Sequence, residues 1–439
     1  MPYDIIIGRN KEDKEKFKDK GLLYIGKGYV KMGNYTSLSN KIWLDIARSH
    51  VILISGKRGS GKSYTIGVLA EEISDLPEEV KQNLAPLIFD TMGIFWTMKY
   101  QNEKDNTLLE KWDLKPRKLP SIIWAPKGYF EEYEKRGIPV DKKFALSVSE
   151  LEIEDWLSIF ELKMTSLIAV LIQKIISDLK NQNKEFDIET IIQEINNNPE
   201  ADEATKKSTI ALFEAANSWK VFAKKDEHPT KITELIRAGT TSVLDLSIYS
   251  STSSFNVRAL IIGLVSKKLF KQRILARKKE EIDSINHGIN FQAKEREMPL
   301  VWLFIDEAHE FLPMHEKTPA TNSLIQLLRE GRQPGISMVL ATQQPGVIHR
   351  DVMTQSDIIL SHRLTNKKDL EALNEIMQTY LLEGIKKSMN QLPDEKGSAI
   401  ILDDNSERLY PIRMRPRFTW HGGEAPKAIK ESEDESFRI

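Results

Sequence analysis

In GKRGSGKSYT, from Gly56 to Thr65, three glycines, a lysine and a hydroxyl residue stand at a spacing that could hold a phosphate. Gly56, Gly61, Lys62 and Ser63 satisfy the pattern G-x-x-x-x-G-K-[ST]. Such a loop closes around a phosphate with its backbone N–H groups turned inward, and it needs glycine where a side chain would collide or φ must be positive. Gly56, Gly59, Ser60, Gly61, Lys62, Ser63 and Tyr64 are the expected nucleotide-binding residues. A helix starting near Lys62 would add unpaired N–H groups and the positive end of its dipole. Lys62 is expected to reach the β and γ phosphates of ATP, and the Ser63 hydroxyl to coordinate Mg2+.

A phosphate cradle needs acids to become a hydrolase, and VWLFIDEAHEF supplies them. Asp306 and Glu307 follow an apolar run, where a strand should emerge at its C-terminal edge, the edge at which open α/β sheets bind ligands. Asp306 is expected to hold hydrated magnesium through water. Glu307 is placed to orient and deprotonate the attacking water. His309 has no second histidine at i+4, so a structural or coupling role suits it better than metal ligation. In ISMVLATQQP, Thr342 and Gln343 end another apolar run, and the Gln343 amide is the expected sensor of the γ phosphate or lytic water. A guanidinium from a neighbouring subunit could stabilise the charge that hydrolysis develops. LLREGRQPG offers Arg329 and Arg332 and SHRLTNKKDLEAL offers Arg363; Arg332 is the first candidate and Arg363 the second.

These residues need a scaffold of buried strands. VILIS reads as one because its apolar residues are continuous rather than alternating. Pro86–Asp90, Ser121–Pro126, Thr241–Leu246, Val301–Glu307, Ile336–Gln343 and Asp357–Leu364 read the same way, with helical patterns between several of them. The expected fold class is α/β, a mostly parallel sheet covered on both faces and carrying a helical insertion. The expected divisions are a lead-in with edge strands over 1–50, a first core segment with the phosphate loop over 51–128, the helical insertion over 129–231, a second core segment over 232–415, and a C-terminal arm over 416–439. A further helix is expected from Phe255 to about Lys279. The arm has little apolar patterning and is expected to pack on another subunit or stay disordered.

Charges nearly balance, at a formal net of −1, which argues against a surface that coats nucleic acid but leaves room for a local basic lining. The chain has no cysteine, so disulfides, thiol chemistry and cysteine-ligated metal centres are excluded. The start lacks a secretory signal pattern, and no apolar stretch is long enough to cross a bilayer. A cytoplasmic protein without a membrane span is expected.

Together, ISGKRGSGKSYT, LIFDTMG, VWLFIDEAHEF, the stretch LLREGRQPGISMVLATQQPGVIHRDVMTQSDIILSHRLTNKKDLEAL and the late pair SAIILDD and LYPIRM resemble the HerA/FtsK superfamily of P-loop motor ATPases, and within it the HerA-like DNA translocases and helicases. REGR-x-x-G before a strand ending ATQ-x-P is more than a generic P-loop protein requires. The resemblance implies a RecA-like core, a homo-hexamer with ATP at its interfaces, and movement along double-stranded DNA through a central pore, in company with a nuclease or other effector in DNA repair or phage defence. It implies Lys62 and Ser63 as Walker A, Asp306 and Glu307 as Walker B, Gln343 as sensor, and Arg332 or Arg363 as the interface arginine. Two departures stand out. The residues before Gly56 are too few for the β-barrel that usually precedes such an ATPase, and Asp90–Phe95 lacks the acid of the family's D-P-x-G-E-Y. A related motor acting on protein, or an ATPase that assembles an effector, is the alternative. Lys99, Lys127 and the run Lys267–Arg273 are basic candidates for a DNA contact, the last reading more readily as a solvated helix face.

Overall fold

The computed structural model describes residues 4–32, 35–182, 185–249, 256–287, 296–364, 366, 369, 371–373, 389 and 392–424. Phe255, parts of the stretch after Leu364, and the arm beyond 424 lie outside the described residues.

The continuous apolar runs become strands whose alternate side chains serve two cores. Strands β1 (Ile5–Ile7), β2 (Leu22–Met32), β3 (Tyr35–Asp45), β4 (Val51–Ser55), β5 (Leu84–Asp90), β6 (Ser121–Pro126), β7 (Lys142–Phe144), β8 (Thr241–Asp245), β9 (Leu300–Ile305), β10 (Ile336–Thr342), β11 (Ile358–His362), β12 (Ser398–Asp403) and β13 (Arg408–Met414) form one sheet. Their spatial order is β1-β3-β2-β13-β12-β11-β4-β10-β9-β5-β8-β6-β7. From β11 to β7 every pairing is parallel. Leu53, Leu87, Phe89, Leu303, Ile305, Met338 and Leu340 point into one core; Ile52, Ile54, Ile88, Trp302, Phe304, Val339 and Ala341 point into the other. A run with no polar alternation is what a strand buried on both faces requires. Each of the leucine, isoleucine, valine, methionine and phenylalanine side chains among them contributes roughly 1.5–3 kcal/mol on burial.

Between β7 and β8 the chain forms helices that include Leu167–Asn181, Ile188–Asn197 and Glu203–Ser218. Ser166 caps the first by accepting from the Ala169 N–H at 3.2 Å, and Asp202 caps the third through the N–H groups of Ala204 and Thr205. An aromatic knot of Trp156, Phe213 and Phe222, with ring centroids 5.0 and 5.6 Å from Trp156, packs beneath them. Their apolar residues and those of one sheet face form a single core. The helix expected to end near Lys279 runs on, over Val257–His287. Among the described residues no helix is long and apolar enough to cross a membrane.

Both chain ends extend the sheet further than their patterning suggests. β2 and β3, eleven residues each, pair antiparallel with one another, and β2 with β13, to make a wing beside the parallel core. The joint between wing and core is ionic. Arg9 donates to Asp45 at 2.8 Å, His50 Nδ1 lies 2.6 Å from Asp357, and His50 Nε2 faces Asp45 at 3.7 Å. Burial alone would lower the His50 pKa, but the two carboxylates outweigh it and raise it to about 9.

The start of the C-terminal arm departs from expectation. Residues 415–419 are strapped onto the helix Lys62–Asp75 of their own chain, and Trp420 goes on to donate its N–H to the Tyr100 carbonyl at 2.8 Å. Fully buried Glu71 accepts from Arg415 at 2.9 Å, Arg417 at 3.2 Å and the backbone N–H groups of Phe418 and Thr419. Gly67 leaves the notch, since a Cβ there would come within 2.5 Å of the Arg417 guanidinium. Sequence patterning misses this because the strap is held by charge and backbone hydrogen bonds rather than by an apolar face.

Two outcomes are expected. Glu71→Ala leaves Arg417 buried without its counter-charge and Arg415 with Glu72 alone, and should cost about 3–5 kcal/mol, read as a lowered urea midpoint with unchanged slope. His50 has a folded-state pKa raised above its unfolded value, so its stabilisation is complete below about pH 6.5 and disappears as pH rises through about 9. The melting temperature should fall over that interval, and His50→Gln should lack that part of the fall.

Candidate nucleotide-hydrolysis site

Register assembles the site. Thr342 lies opposite Ser55, and Leu340 opposite Ile305, so the tips of β4, β10 and β9 end side by side at one edge of the sheet. The glycine loop leaves β4, the acids leave β9, and Gln343 leaves β10 between them.

Gly59 and Gly61 adopt φ of +74° and +113°, which admit glycine cheaply and other residues poorly. At Gly56 the constraint is space, since a Cβ would collide with Ser60 Oγ and lie 2.7 Å from His362 Cβ. The helix then begins at Lys62, and the Gly61 carbonyl accepts from the Thr65 N–H at 2.9 Å. Lys62 Nζ donates to the Lys57 carbonyl at 3.3 Å. Burial lowers the lysine's pKa while Glu307 and Asp306 raise it, the net direction being down.

Ser63 Oγ donates to Asp306 Oδ2 at 2.5 Å, which joins the two halves of the site across most of the sequence. Asp306 is buried, and burial raises its pKa against the opposing Ser63 bond. Glu307 stands at φ +50°, a left-handed conformation costing a non-glycine residue about 1–3 kcal/mol, and its N–H is held by Asp306 Oδ1 at 2.9 Å. The turn projects its carboxylate toward Gln343, whose Nε2 donates to Oε1 at 3.3 Å. Burial first, then Asp306, pushes the Glu307 pKa up to about 7. Its Oε2 is buried with no hydrogen-bond partner. The structure thus brings together the glycine loop, Lys62, Ser63, Asp306, Glu307 and Gln343.

Other expected residues lie elsewhere. The Tyr64 side chain turns away from the loop toward the strap; its hydroxyl accepts from the Arg417 N–H at 2.6 Å and its ring meets His421 edge-on at 5.2 Å. The two candidate arginines take opposite positions. Arg363 is close to its own loop, since its carbonyl accepts from the Lys57 N–H at 3.2 Å, and its guanidinium pairs with Asp394 and the Leu392 carbonyl. Arg332 is exposed and precedes β10, at the other edge of the sheet. Seven strand residues at about 3.3 Å each put roughly 20 Å between it and its own Gln343. Arg329 pairs with Asp351 at 2.7 Å.

Most of the basic DNA-contact candidates are engaged as well. Lys99 pairs with Asp141 at 2.5 Å, Lys127 with Glu227, Lys267 with Asp155 at 3.3 Å and Lys268 with Glu150, while Arg273 is buried on the carbonyls of Pro334 and Met298.

Sequence reading passed over His362. It ends β11 directly beneath the loop, fully buried, with Nε2 2.9 Å from Thr65 Oγ1 and Nδ1 3.1 Å from the Ser398 carbonyl. That geometry has Nδ1–H donating and Nε2 accepting. Burial lowers its pKa to about 4, so it remains a neutral prop for the glycine loop. Its only signal was a histidine at the tip of an apolar strand.

A parallel sheet with a glycine loop, lysine and serine at one strand tip, facing an aspartate–glutamate pair two strands away, defines a P-loop ATPase. The chain belongs to the family described as the central domain of helicase HerA, whose profile matches residues 30–267, more than half of it. It is 24% identical over 385 residues to the DNA double-strand break repair helicase HerA of Saccharolobus solfataricus, covering 86% of this chain and 65% of that protein. It is 23% identical to a probable helicase of Methanocaldococcus jannaschii, with coverage of 86% and 65%. The chain therefore spans just under two thirds of the length of these relatives. Among solved structures it is similar to VirB4 of Thermoanaerobacter pseudethanolicus, with TM-score 0.52, 12% identity, and coverage of 90% of this chain and 97% of that one, a likeness of fold.

Gly56→Ala should close the loop by overpacking, at about 1–3 kcal/mol. The dissociation constant for a fluorescent ATP analogue should rise about 10- to 100-fold, with the far-UV circular dichroism spectrum unchanged.

Proposed function

We propose that this chain is an ATP-driven translocase or helicase acting on double-stranded DNA, working as a ring of six with a nuclease or other effector. The observation that carries the hydrolytic part is the contact of Ser63 with Asp306, with the Glu307 carboxylate beside it and Gln343 in reach. The DNA substrate is supported by family membership and by the helicase names of the relatives.

The residues fit a nucleotide with magnesium. Ser63 and Asp306 form a hard oxygen pair, and among the described residues no cluster of three His, Asp or Glu side chains could hold a metal by protein groups alone. That suits an ion that keeps several waters and completes its shell with phosphate oxygens. Ser63 and, through water, Asp306 would hold magnesium, which would supply positive charge against the negative charge that develops on the phosphates. Lys62 would exchange the Lys57 carbonyl for phosphate oxygens, and the backbone N–H groups of the loop, with the helix start at Lys62, would take the remaining negative charge. Glu307, whose carboxylate is short of donors, would accept the proton of the attacking water, oriented together with Gln343. Arg332 is assigned as the arginine supplied to the neighbouring subunit: it is exposed, and about 20 Å of strand separates it from its own site. Arg363, beside its own loop and already paired, is assigned to that loop's support.

ATP turnover measured with and without long duplex DNA tests the reading. Wild-type protein should be stimulated by DNA. Lys62→Ala should bind nucleotide weakly and turn over negligibly, Glu307→Gln should bind ATP normally with kcat lower by about 100- to 10,000-fold, and Arg332→Ala should lose about 1,000-fold or more, restored in mixtures that supply an intact neighbour. Turnover indifferent to DNA but raised by a partner protein would overturn the DNA assignment in favour of a protein-directed or effector-assembling ATPase.

A further inference from the structure

His309 and Glu310 are the polar residues of IDEAHEF that the hydrolytic scheme leaves without a task, and Glu310 faces Arg258 at 3.7 Å. His309 sits on the short turn Ala308–Glu310 that follows Glu307, and its ring lies between the tips of two neighbouring strands. His309 Nδ1 is 3.2 Å from Thr342 Oγ1 and 3.5 Å from Glu307 Oε2. Thr342, fully buried at the end of β10, already accepts from the Gln344 N–H at 3.1 Å, which leaves its hydroxyl proton for His309. Burial and the charge of Lys62 keep the ring neutral, so Nδ1 accepts that proton with its lone pair and Nε2 carries the ring's own hydrogen. The same lone pair faces Glu307 Oε2, the carboxylate oxygen that is buried without a donor. On its other side, Glu307 holds only Gln343 at 3.3 Å.

One ring nitrogen thus stands within reach of two oxygens and makes one strong hydrogen bond at a time. While Thr342 holds it, Glu307 Oε2 has no donor. A shift of the β10 tip as Gln343 turns to a γ phosphate would release the Thr342 bond, and the ring, by exchanging its hydrogen from Nε2 to Nδ1, could then donate to Glu307 Oε2. Thr342 and Gln343 are adjacent on one strand tip, so a shift of that tip acts at once on the ring that faces Glu307 Oε2 and on the amide that donates to Oε1.

We propose that His309 is a positioning residue that links the sensor tip of β10, through Thr342, to the side-chain placement of Glu307. This rests on the ATPase reading above, and the link is a coupling between strand tips rather than a contact with substrate.

The test is a set of variants read by turnover, by ATP affinity and by melting of the nucleotide-free protein. His309→Ala should lower kcat about tenfold with KM for ATP within about twofold of wild type. His309→Asn, which keeps a polar group at the place of Nδ1, should recover most of that loss; His309→Gln, which puts its amide at the place of Nε2, should not. Thr342→Val should resemble His309→Ala, and the double variant should be no worse than either single one. Melting temperatures of the nucleotide-free proteins should show the same non-additivity, independent of turnover. Wild-type kcat in His309→Ala, equal losses in the Asn and Gln variants, an effect confined to KM, or additive shifts in the cycle would each overturn the coupling. Failure of the ATPase reading is separate: it would appear as absent wild-type turnover, while the melting cycle still decides whether Thr342 and His309 are linked.

Discussion

Everything in this molecule depends on the parallel register of β4, β10 and β9. Strand pairing fixes where each strand ends, and it sets the tips of these three level, so that Ser63 and Asp306 meet at 2.5 Å although most of the chain lies between them. A slip of one residue along any of these ladders would exchange the faces of the strand and remove the meeting. The register is itself held by burial on both faces, where alternate residues of each strand enter different cores.

Around that edge the chain arranges support rather than further chemistry. His362 props the glycine loop from below, and the strap of residues 415–419 locks the helix Lys62–Asp75 through Glu71. Both act through buried, fully partnered polar groups, which confer a single arrangement more than they add stability. The antiparallel wing is fastened to the core by buried charge, through Arg9, Asp45, His50 and Asp357. The helix that must meet phosphate is therefore held at its start by His362 and Thr65 and along its length by Arg415 and Arg417.

The electrostatics at the edge are deliberately unbalanced. Burial raises the pKa of Asp306 and Glu307 and lowers that of Lys62, so that the charged forms of all three are costly without a ligand. Lys62 rests on the Lys57 carbonyl, and Glu307 keeps an oxygen with no donor. A site poised like this gains when a polyanion and its counter-ion arrive, because they supply the partners that the fold withholds.

Spacing and chemical type were enough to announce the glycine loop, the Asp306–Glu307 pair and Gln343, and continuous apolar runs announced the strands that carry them, since local sterics and burial on two faces leave their mark in the order of residues. Tertiary structure alone decided what depends on pairs distant in sequence. It turned Tyr64 toward Arg417 rather than toward the loop, placed Arg363 beside its own loop and Arg332 about 20 Å of strand away from its own Gln343, engaged Lys99, Lys127, Lys267 and Lys268 in ion pairs, and folded residues 415–419 onto Glu71. The reason is physical: a motif is written in neighbouring residues, whereas direction of a side chain, pairing of a charge and the partner of a buried carboxylate are fixed only when strands and helices far apart in the chain are packed against one another.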